Sequence, residues 1–340
     1  MKVVSSGRSV VTCCFALCAT LFALCLPAEA QQLGKVHRIG VLSGGFPGSS
    51  ADIEAFQQGL RDHGYVEGKN LIIEYRYAEG KRDRYPELVS DLIRLKVDVI
   101  IANGTEPTAA AKKATSTIPI VMTSSTDPER TGLIASVARP AGNVTGVTEI
   151  SGELAGKLLE LLREVIPRLT RVAIVFTASG QTAELGAASK LYVKEVEVPA
   201  RALTVQIVSL VVRGPDDYEG AVRAATKERA NALLSRLPPG TPFAHRKQLM
   251  ELAAKSRLPV GSGQNLDTEA GGLLSYGWDR RDLYRRAATY VDKILKGTKP
   301  GDLPVERPTK FEFVINLKAA KALDLTIPQS VLYRADKVIK

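Results

Sequence analysis

The sequence predicts an α/β protein of two lobes, each a doubly wound parallel sheet, with three crossing segments joining them. Three observations carry this reading. Short apolar, β-branched runs alternate with amphipathic helical segments along nearly the whole chain, the pattern of a parallel sheet covered on both faces. The alternation breaks at Pro140-Ala141-Gly142-Asn143 and then restarts. Late in the chain, two extended runs flank one long helical pattern, as in a chain that crosses between lobes more than once.

Taken in order, Val36 to Ser43 is the first strand, running into Ser43-Gly44-Gly45-Phe46-Pro47-Gly48 and then Ser49-Ser50. Ala51 to His63 is a helix with Ile53, Phe56 and Leu60 on one face and Gly64 as its stop. Leu71 to Tyr77 alternates as a strand, and Tyr85 to Leu95 is a helix that turns Leu88, Leu92 and Leu95 inward. The runs beginning at Val97 and Ile118 are apolar strands with a helix from Glu106 to Ser116 between them, which together make a βαβ unit. Asp127 to Gly142 holds one helical turn or two, and Asn143 to Thr148 reads as an extended crossing.

The second lobe repeats the pattern. Helix Leu154 to Val165 precedes strand Arg171 to Thr177, and a long helix begins near Thr182. Strand Thr204 to Val212, helix Asp217 to Arg229, strand Ala232 to Ser235, helix Pro242 to Ser256 and strand Leu258 to Gly261 follow. Gly271 to Gly277 is then a glycine-flanked strand, Arg281 to Leu295 a helix stopped by Gly297, Phe311 to Ile315 a strand, and Leu317 to Leu323 a last helix. This places lobe one at 31–145 plus 277–308 and lobe two at 146–270 plus 315–340. The hinge crossings fall at 143–149, 271–277 and 309–315.

At 340 residues the chain has the length of two ordinary domains, and 45% hydrophobic with 24% charged residues is a globular composition. Residues 1–30 form a separate object: Lys2 and Arg8, an apolar run from Val10 to Leu26, Pro27, then Ala28-Glu29-Ala30. That is the layout of a cleaved secretory signal peptide, with an uncleaved anchor as the alternative. Leucine, not a small residue, precedes Cys18 and Cys25, which speaks against lipidation. All four cysteines lie in this leader, so a processed chain has no disulfide, thiol nucleophile or thiolate metal site. The net charge of +10 is spread along the chain without a nucleic-acid motif, and reads as a solvated basic face.

Several stretches together resemble one known family. They are Phe56-Gln57-Gln58-Gly59-Leu60 with Gly64-Tyr65-Val66-Glu67-Gly68-Lys69-Asn70, Ala114 to Val121, Arg139 to Gly146, Gly271-Gly272-Leu273-Leu274-Ser275-Tyr276-Gly277, and Ile294 to Pro300 with Leu303 to Phe311. In this order they resemble the substrate-binding proteins of ABC transporters, in the group that includes tryptophan-type binding proteins. The resemblance implies a type I periplasmic-binding fold. It departs at Glu129-Arg130, where the family often has Val-Gly, and at Leu237-Pro238-Pro239-Gly240-Thr241, where some members carry an Asp-Asn pair suited to an amino group. Without that carboxylate a buried ammonium is costly; Asp267 and Glu269 are the candidate substitutes.

Ligands of such sheets bind beyond the carboxyl ends of the strands. In lobe one this selects Ser43, Gly44, Asn103, Gly104, Thr105, Thr123, Ser124 and Ser125, whose hydroxyls and backbone N–H groups suit a carboxylate. The same residues also serve as plain helix caps. In lobe two it selects the loops Thr177 to Gln181, with Thr177 and Ser179, Pro239 to Thr241, and Gly261 to Gln264, with Gly261 and Gln264. Tyr276 and Trp278 are aromatic candidates that could stack on a ligand or wedge the hinge. His37, His63 and His245 have no metal-ligand spacing, Gly261-Ser262-Gly263 lacks the third glycine of a dinucleotide fingerprint, and Gly44 to Ser50 does not end as a Walker loop.

The expected function is therefore an exported solute receptor, periplasmic and monomeric. It would capture an amino acid or an aromatic or carboxylate compound for a membrane permease, with no cofactor, metal or nucleic acid. The rival readings are an enzyme in the same cleft and a ligand-sensing regulator. The first wants a cleft histidine or thiols; the second wants a helix-turn-helix where the leader stands.

Overall fold

The computed structural model describes residues 35–47, 51–149, 152–178, 185–238 and 240–340, apart from the side chains at 152, 153 and 187. The expected leader at 1–30, Ser49, Ser50, Ser179 and Pro239 lie outside the described residues.

Lobe one is built from β1 (His37–Ser43), α1 (Ala51–Asp62), β2 (Leu71–Tyr77), α2 (Tyr85–Arg94), β3 (Val99–Asn103), α3 (Thr105–Ala114), β4 (Ile120–Thr126) and β5 (Val144–Glu149). Its five strands are all parallel in the order β2-β1-β3-β4-β5. Ile39, Val41, Val99, Ile101 and Val121 fill one face of the sheet against Phe56 and Leu60 of α1, while Leu42, Ile100, Ile120 and Met122 fill the other against Leu88, Val89 and Leu92 of α2. Strands buried on both faces are why these runs are uninterrupted apolar stretches and do not alternate.

Lobe two comprises α4 (Gly152–Val165), β6 (Arg171–Thr177), α5 (Ala187–Ala202), β7 (Gln206–Val212), α6 (Tyr218–Lys227), β8 (Ala232–Arg236), α7 (Phe243–Lys255), β9 (Val260–Ser262), α8 (Asn265–Glu269) and β10 (Leu274–Trp278). The chain then returns to lobe one as α9 (Arg280–Leu295), and comes back as β11 (Phe311–Asn316), α10 (Leu317–Ala322), α11 (Gln329–Leu332) and β12 (Lys337–Ile339). The second sheet runs β12-β11-β10-β9-β8-β6-β7. Read from β7 to β10, its connectivity repeats that of lobe one. The addition is β11, antiparallel to β10. Since β10 leaves lobe two at its carboxyl end and the chain re-enters at that same end, the next strand has to run the opposite way.

α9 belongs to lobe one by packing. It lies along α1, where Gly59 admits the backbone of Arg285; a Cβ at Gly59 would come 2.8 Å from the Ala288 Cβ. Its start is fixed by Asp279, whose side chain accepts from the Arg281 and Asp282 backbone N–H groups at 3.0 and 3.4 Å.

The segments around the expected crossings are strands, as Gly271 to Gly277 and Phe311 to Ile315 were expected to be. Val144–Glu149 is the wholly buried fifth strand of sheet one, and Leu274–Trp278 and Phe311–Asn316 are central in sheet two. The chain changes lobe just beyond them, after Glu149, at Asp279 and through 307–310. A strand and an extended crossing share one backbone conformation, so apolar extended sequence does not tell them apart. Residues 127–142 form hydrogen-bonded turns without a helix, closed by Leu133 N–H to Pro128 O at 2.8 Å. The short α8, α11 and β12 have too few residues for a periodic signal.

Candidate functional site

The carboxyl ends of the two sheets meet at a cleft of about 580 Å³. Lobe one supplies Ser43, Gly45, Phe46, Asp52, Tyr77 and Asn103; lobe two supplies Gly240, Thr241, Phe243, Gln264 and Leu266. Trp278, Arg280 and Tyr284 line it from the crossing and the first turns of α9.

In lobe one Ser43 and Asn103 line the cleft, and a hydroxyl network outside the lining stands behind Asn103. The ladder between β4 and β5 shifts register between Met122 and Ser125, where Gly146 has φ +128° and a Cβ would fall 2.7 Å from the Met122 nitrogen. Such an irregularity re-aims side chains near a strand end. Here Thr123 and Ser124 both donate to the Asn103 Oδ1, at 3.4 and 3.3 Å. Ser125 instead meets the Thr108 hydroxyl at 3.2 Å, and Thr105 Oγ1 accepts from the Thr126 N–H at 2.9 Å. Gly104, at φ +105°, caps α3. Ser43 faces the cleft and its hydroxyl accepts from Gly45 N–H at 3.1 Å; Gly44 packs toward the Tyr85 hydroxyl.

In lobe two, Gln264 lines the cleft, donating to Leu237 O at 2.7 Å and accepting from Arg246 at 3.1 Å. Arg246 is fully buried. It pairs with the equally buried Asp267 and donates to Thr241 O at 3.1 Å and Pro238 O at 2.7 Å. Asp267 also accepts from Ser262 at 2.6 Å. Asp267, one of the two candidate substitutes for the missing carboxylate, is engaged by Arg246 and Ser262 and so helps to hold the loop around Gly240 in place. Glu269 stands at the cleft edge, 2.8 Å from Lys337. Gly261 is packed between Leu162 and Leu234, away from the cleft, and Thr177 ends β6 in register with Val212.

Of the aromatic candidates, Trp278 lines the cleft. Tyr276 stacks on Phe311 at 6.1 Å, meets Phe313 edge-on, and packs against the cores of both lobes. It is a wedge at the crossing. His37 meets Tyr65 edge-on and His63 lies 3.7 Å from Asp292. Among the described residues no cluster of His, Cys, Asp and Glu could hold a metal ion, and no helix is long and apolar enough to cross a membrane.

Asp52 and Arg280 of the cleft lining, and Glu149 and Arg236 outside that lining, were not selected from the sequence. Glu149, the last residue of β5, is buried at the lobe boundary. Burial pushes its carboxyl above the usual carboxylate range, against the opposing pull of Arg236, Arg280 and the Ser124 hydroxyl. Arg280 donates twice to one oxygen of Asp52, at 2.9 and 2.7 Å. Burial opposes its charge, but Asp52, Tyr284 and Glu149 outweigh that and raise its pKa. Arg236, the last residue of β8, lies 4.2 Å above the buried Tyr192 ring, a cation–π contact. The switch-point rule that selected the hydroxyls applies equally to the strand ends that carry Glu149 and Arg236.

The two lobes touch over the cleft. A Cβ on Gly45 would come 2.9 Å from the Gly240 Cα, and one on Gly240 would come 2.8 Å from the Gly45 nitrogen. To one side Arg130, of the Glu129-Arg130 departure, reaches Glu195 on α5 at 3.2 Å.

The model of the family "ABC transporter substrate binding protein" matches residues 41–339. A relative named tyrosine-binding protein, from Clostridioides difficile (strain R20291), is 26% identical over 279 residues, covering 80% of this chain and 76% of that protein. Among solved structures, a conserved domain protein from Vibrio cholerae has a TM-score of 0.80 at 27% identity, covering 89% of this chain and 100% of its own. An ABC domain in complex with L-Trp from Streptococcus pneumoniae has a TM-score of 0.78 at 25% identity, covering 89% and 99%.

Proposed function

Since the chain belongs to the family of ABC transporter substrate-binding proteins, we propose that it is an exported receptor. It captures a small organic solute, an amino acid or an aromatic or carboxylate compound, and delivers it to a membrane permease. The observation that carries this is the convergence of both sheets' carboxyl ends on one cleft that is closed over by Gly45 against Gly240. Such a cleft shifts toward its closed state in proportion to how much better the solute binds there than in the open one. Relatives named for tyrosine and solved with L-Trp support an aromatic amino acid as the first candidate. Tyr77, Trp278 and Tyr284 provide apolar surface for such a side chain. The protein works as a monomer in the periplasm.

The test is thermal melting against a panel of amino acids and aromatic acids, with small-angle scattering on each hit. A solute that raises the melting temperature and compacts the protein supports the receptor reading. A solute that raises it with no change in shape overturns the closure mechanism.

A further inference from the structure

The charged side chains that line the cleft are the carboxylates Asp52, Glu269, Asp279 and Glu312 and the cations Arg280, Arg281 and Lys337. Each cation is paired with a lining carboxylate: Arg280 with Asp52 at 2.7 Å, Lys337 with Glu269 at 2.8 Å, and Arg281 with Asp279 at 3.8 Å. One carboxylate is left over. Glu312, half-buried on β11, forms no ion pair among the described residues, and its carboxylate takes a single, uncharged hydrogen bond, from Asn265 Nδ2 to Oε2. Asn265 is itself fixed by the Ser275 hydroxyl, which donates to its Oδ1 at 2.9 Å. This run of bonds from β10 through the start of α8 steadies the Glu312 carboxylate and leaves Oε1 for the cleft. A carboxylate drawn out of water calls for a cation beside it.

The lobe-one wall offers the opposite chemistry without charge. Ser43 Oγ accepts from Gly45 N–H, and Asn103 Oδ1 accepts from the Thr123 and Ser124 hydroxyls. With those oxygens engaged, the Ser43 hydroxyl proton and the Asn103 Nδ2 are what these side chains present to a solute, and both are donors. The two residues stand opposite each other where β1 pairs with β3.

We infer that Glu312 is the specificity-determining residue of the cleft, the counter-ion of a cationic group on the solute. This rests on the receptor reading above and narrows its solute class to amines and dipolar amino acids, whose acceptor end meets Ser43 and Asn103. A free carboxylic acid brings a further negative charge into a lining whose cations are all engaged, and is rejected. Glu312 thereby supplies the carboxylate that the loop Leu237 to Thr241 lacks, a role closed to Asp267 and Glu269, which Arg246 and Lys337 hold.

The experiment is calorimetric titration of the purified protein with L-tyrosine, tyramine and desaminotyrosine, and with L-tryptophan, tryptamine and indolepropionate. Loss of a hydrogen bond to a charged group weakens binding by roughly tenfold or more, so each deaminated acid should bind that much less tightly than its amino acid. Each amine should lose less, because the donors it forgoes are neutral. Glu312→Gln keeps an acceptor for Asn265 and should abolish the preference for the amino acid over the deaminated acid; an unchanged melting temperature shows that the variant is folded. Wild-type protein that binds the deaminated acid as well as the amino acid overturns the inference without any variant, and so does a Glu312→Gln protein that keeps the preference. If neither series binds, putrescine, choline, glucose and succinate are titrated next. Binding of putrescine or choline that Glu312→Gln weakens tenfold supports the inference. Binding of glucose or succinate alone overturns the role of Glu312 and leaves the receptor reading standing, whereas no binding in any class overturns both.

Discussion

Replacing Gly240 with alanine should uncouple closure from folding. Gly240 does not occupy the left-handed region, so alanine fits its backbone without strain. The added methyl would point at the Gly45 backbone, 2.8 Å from its nitrogen. That is short of ordinary contact by roughly half an ångström or more, and backbone on both sides cannot rotate away as a side-chain tip can. The lobes must part to relieve it. Overpacking of this size costs about 1–3 kcal/mol, and here the cost falls on the closed state alone. Apparent affinity scales with the population of the competent state, so solute binding should weaken by roughly 5- to 150-fold. Stability should move by less than about 0.5 kcal/mol, since the open form keeps every core contact. Titration calorimetry gives the affinity, and scattering at saturating solute should show a more extended particle than the wild type. A Gly240→Ala protein that binds and compacts like the wild type would refute the claim that these two glycines meet in the bound state.

Three further outcomes are expected. Arg130→Ala or Glu195→Ala removes the ion pair beside the cleft; because Arg130 is 56% exposed, the effect is only ~0.2–1 kcal/mol, seen as a loss of affinity of less than about fivefold that vanishes at high salt. Arg246→Met leaves Asp267 buried without its counter-ion, with only the Ser262 hydroxyl on it, and should cost about 3–5 kcal/mol in urea denaturation, with Arg246→Met/Asp267→Leu recovering much of it. Glu149 holds its proton more tightly folded than unfolded, so its contribution to stability falls as pH rises from the ordinary carboxylate range through the raised value. Glu149→Gln should therefore gain stability on the wild type toward neutral pH.

Much of the fold was legible because doubly buried strands leave a strong trace. Leu71–Tyr77 and Arg171–Thr177 begin and end where the alternation and the turn residues place them. What could not be read was the part each glycine plays in the extended runs near the crossings. Val144–Glu149 and Leu274–Trp278 carry the glycines of a hinge, but Gly146 serves the close pairing of β5 with β4, and Gly277 sits against the Gly263 backbone. The hinge glycines answer to neighbouring strands, which a single sequence does not show.

The site divides along the same line. Ser43, Asn103, Gln264 and Trp278 reach the cleft because strand ends and the first turn after them point there in any such sheet. Gly261 and Tyr276 do not, because a helix and a neighbouring strand cover them, a tertiary fact with no local signal. Glu149 and Arg236 show where reading by residue type stops short. Hydroxyls and glycines at strand ends suggest a binding site by analogy, while a charge there looks like the edge of a strand turning to solvent. Only when the two lobes face each other does the end of β5 in one become the counterpart of the end of β8 in the other. Glu149 and Arg236 feel each other's charge across the lobe boundary, a relation between strand ends far apart in sequence that no local pattern records.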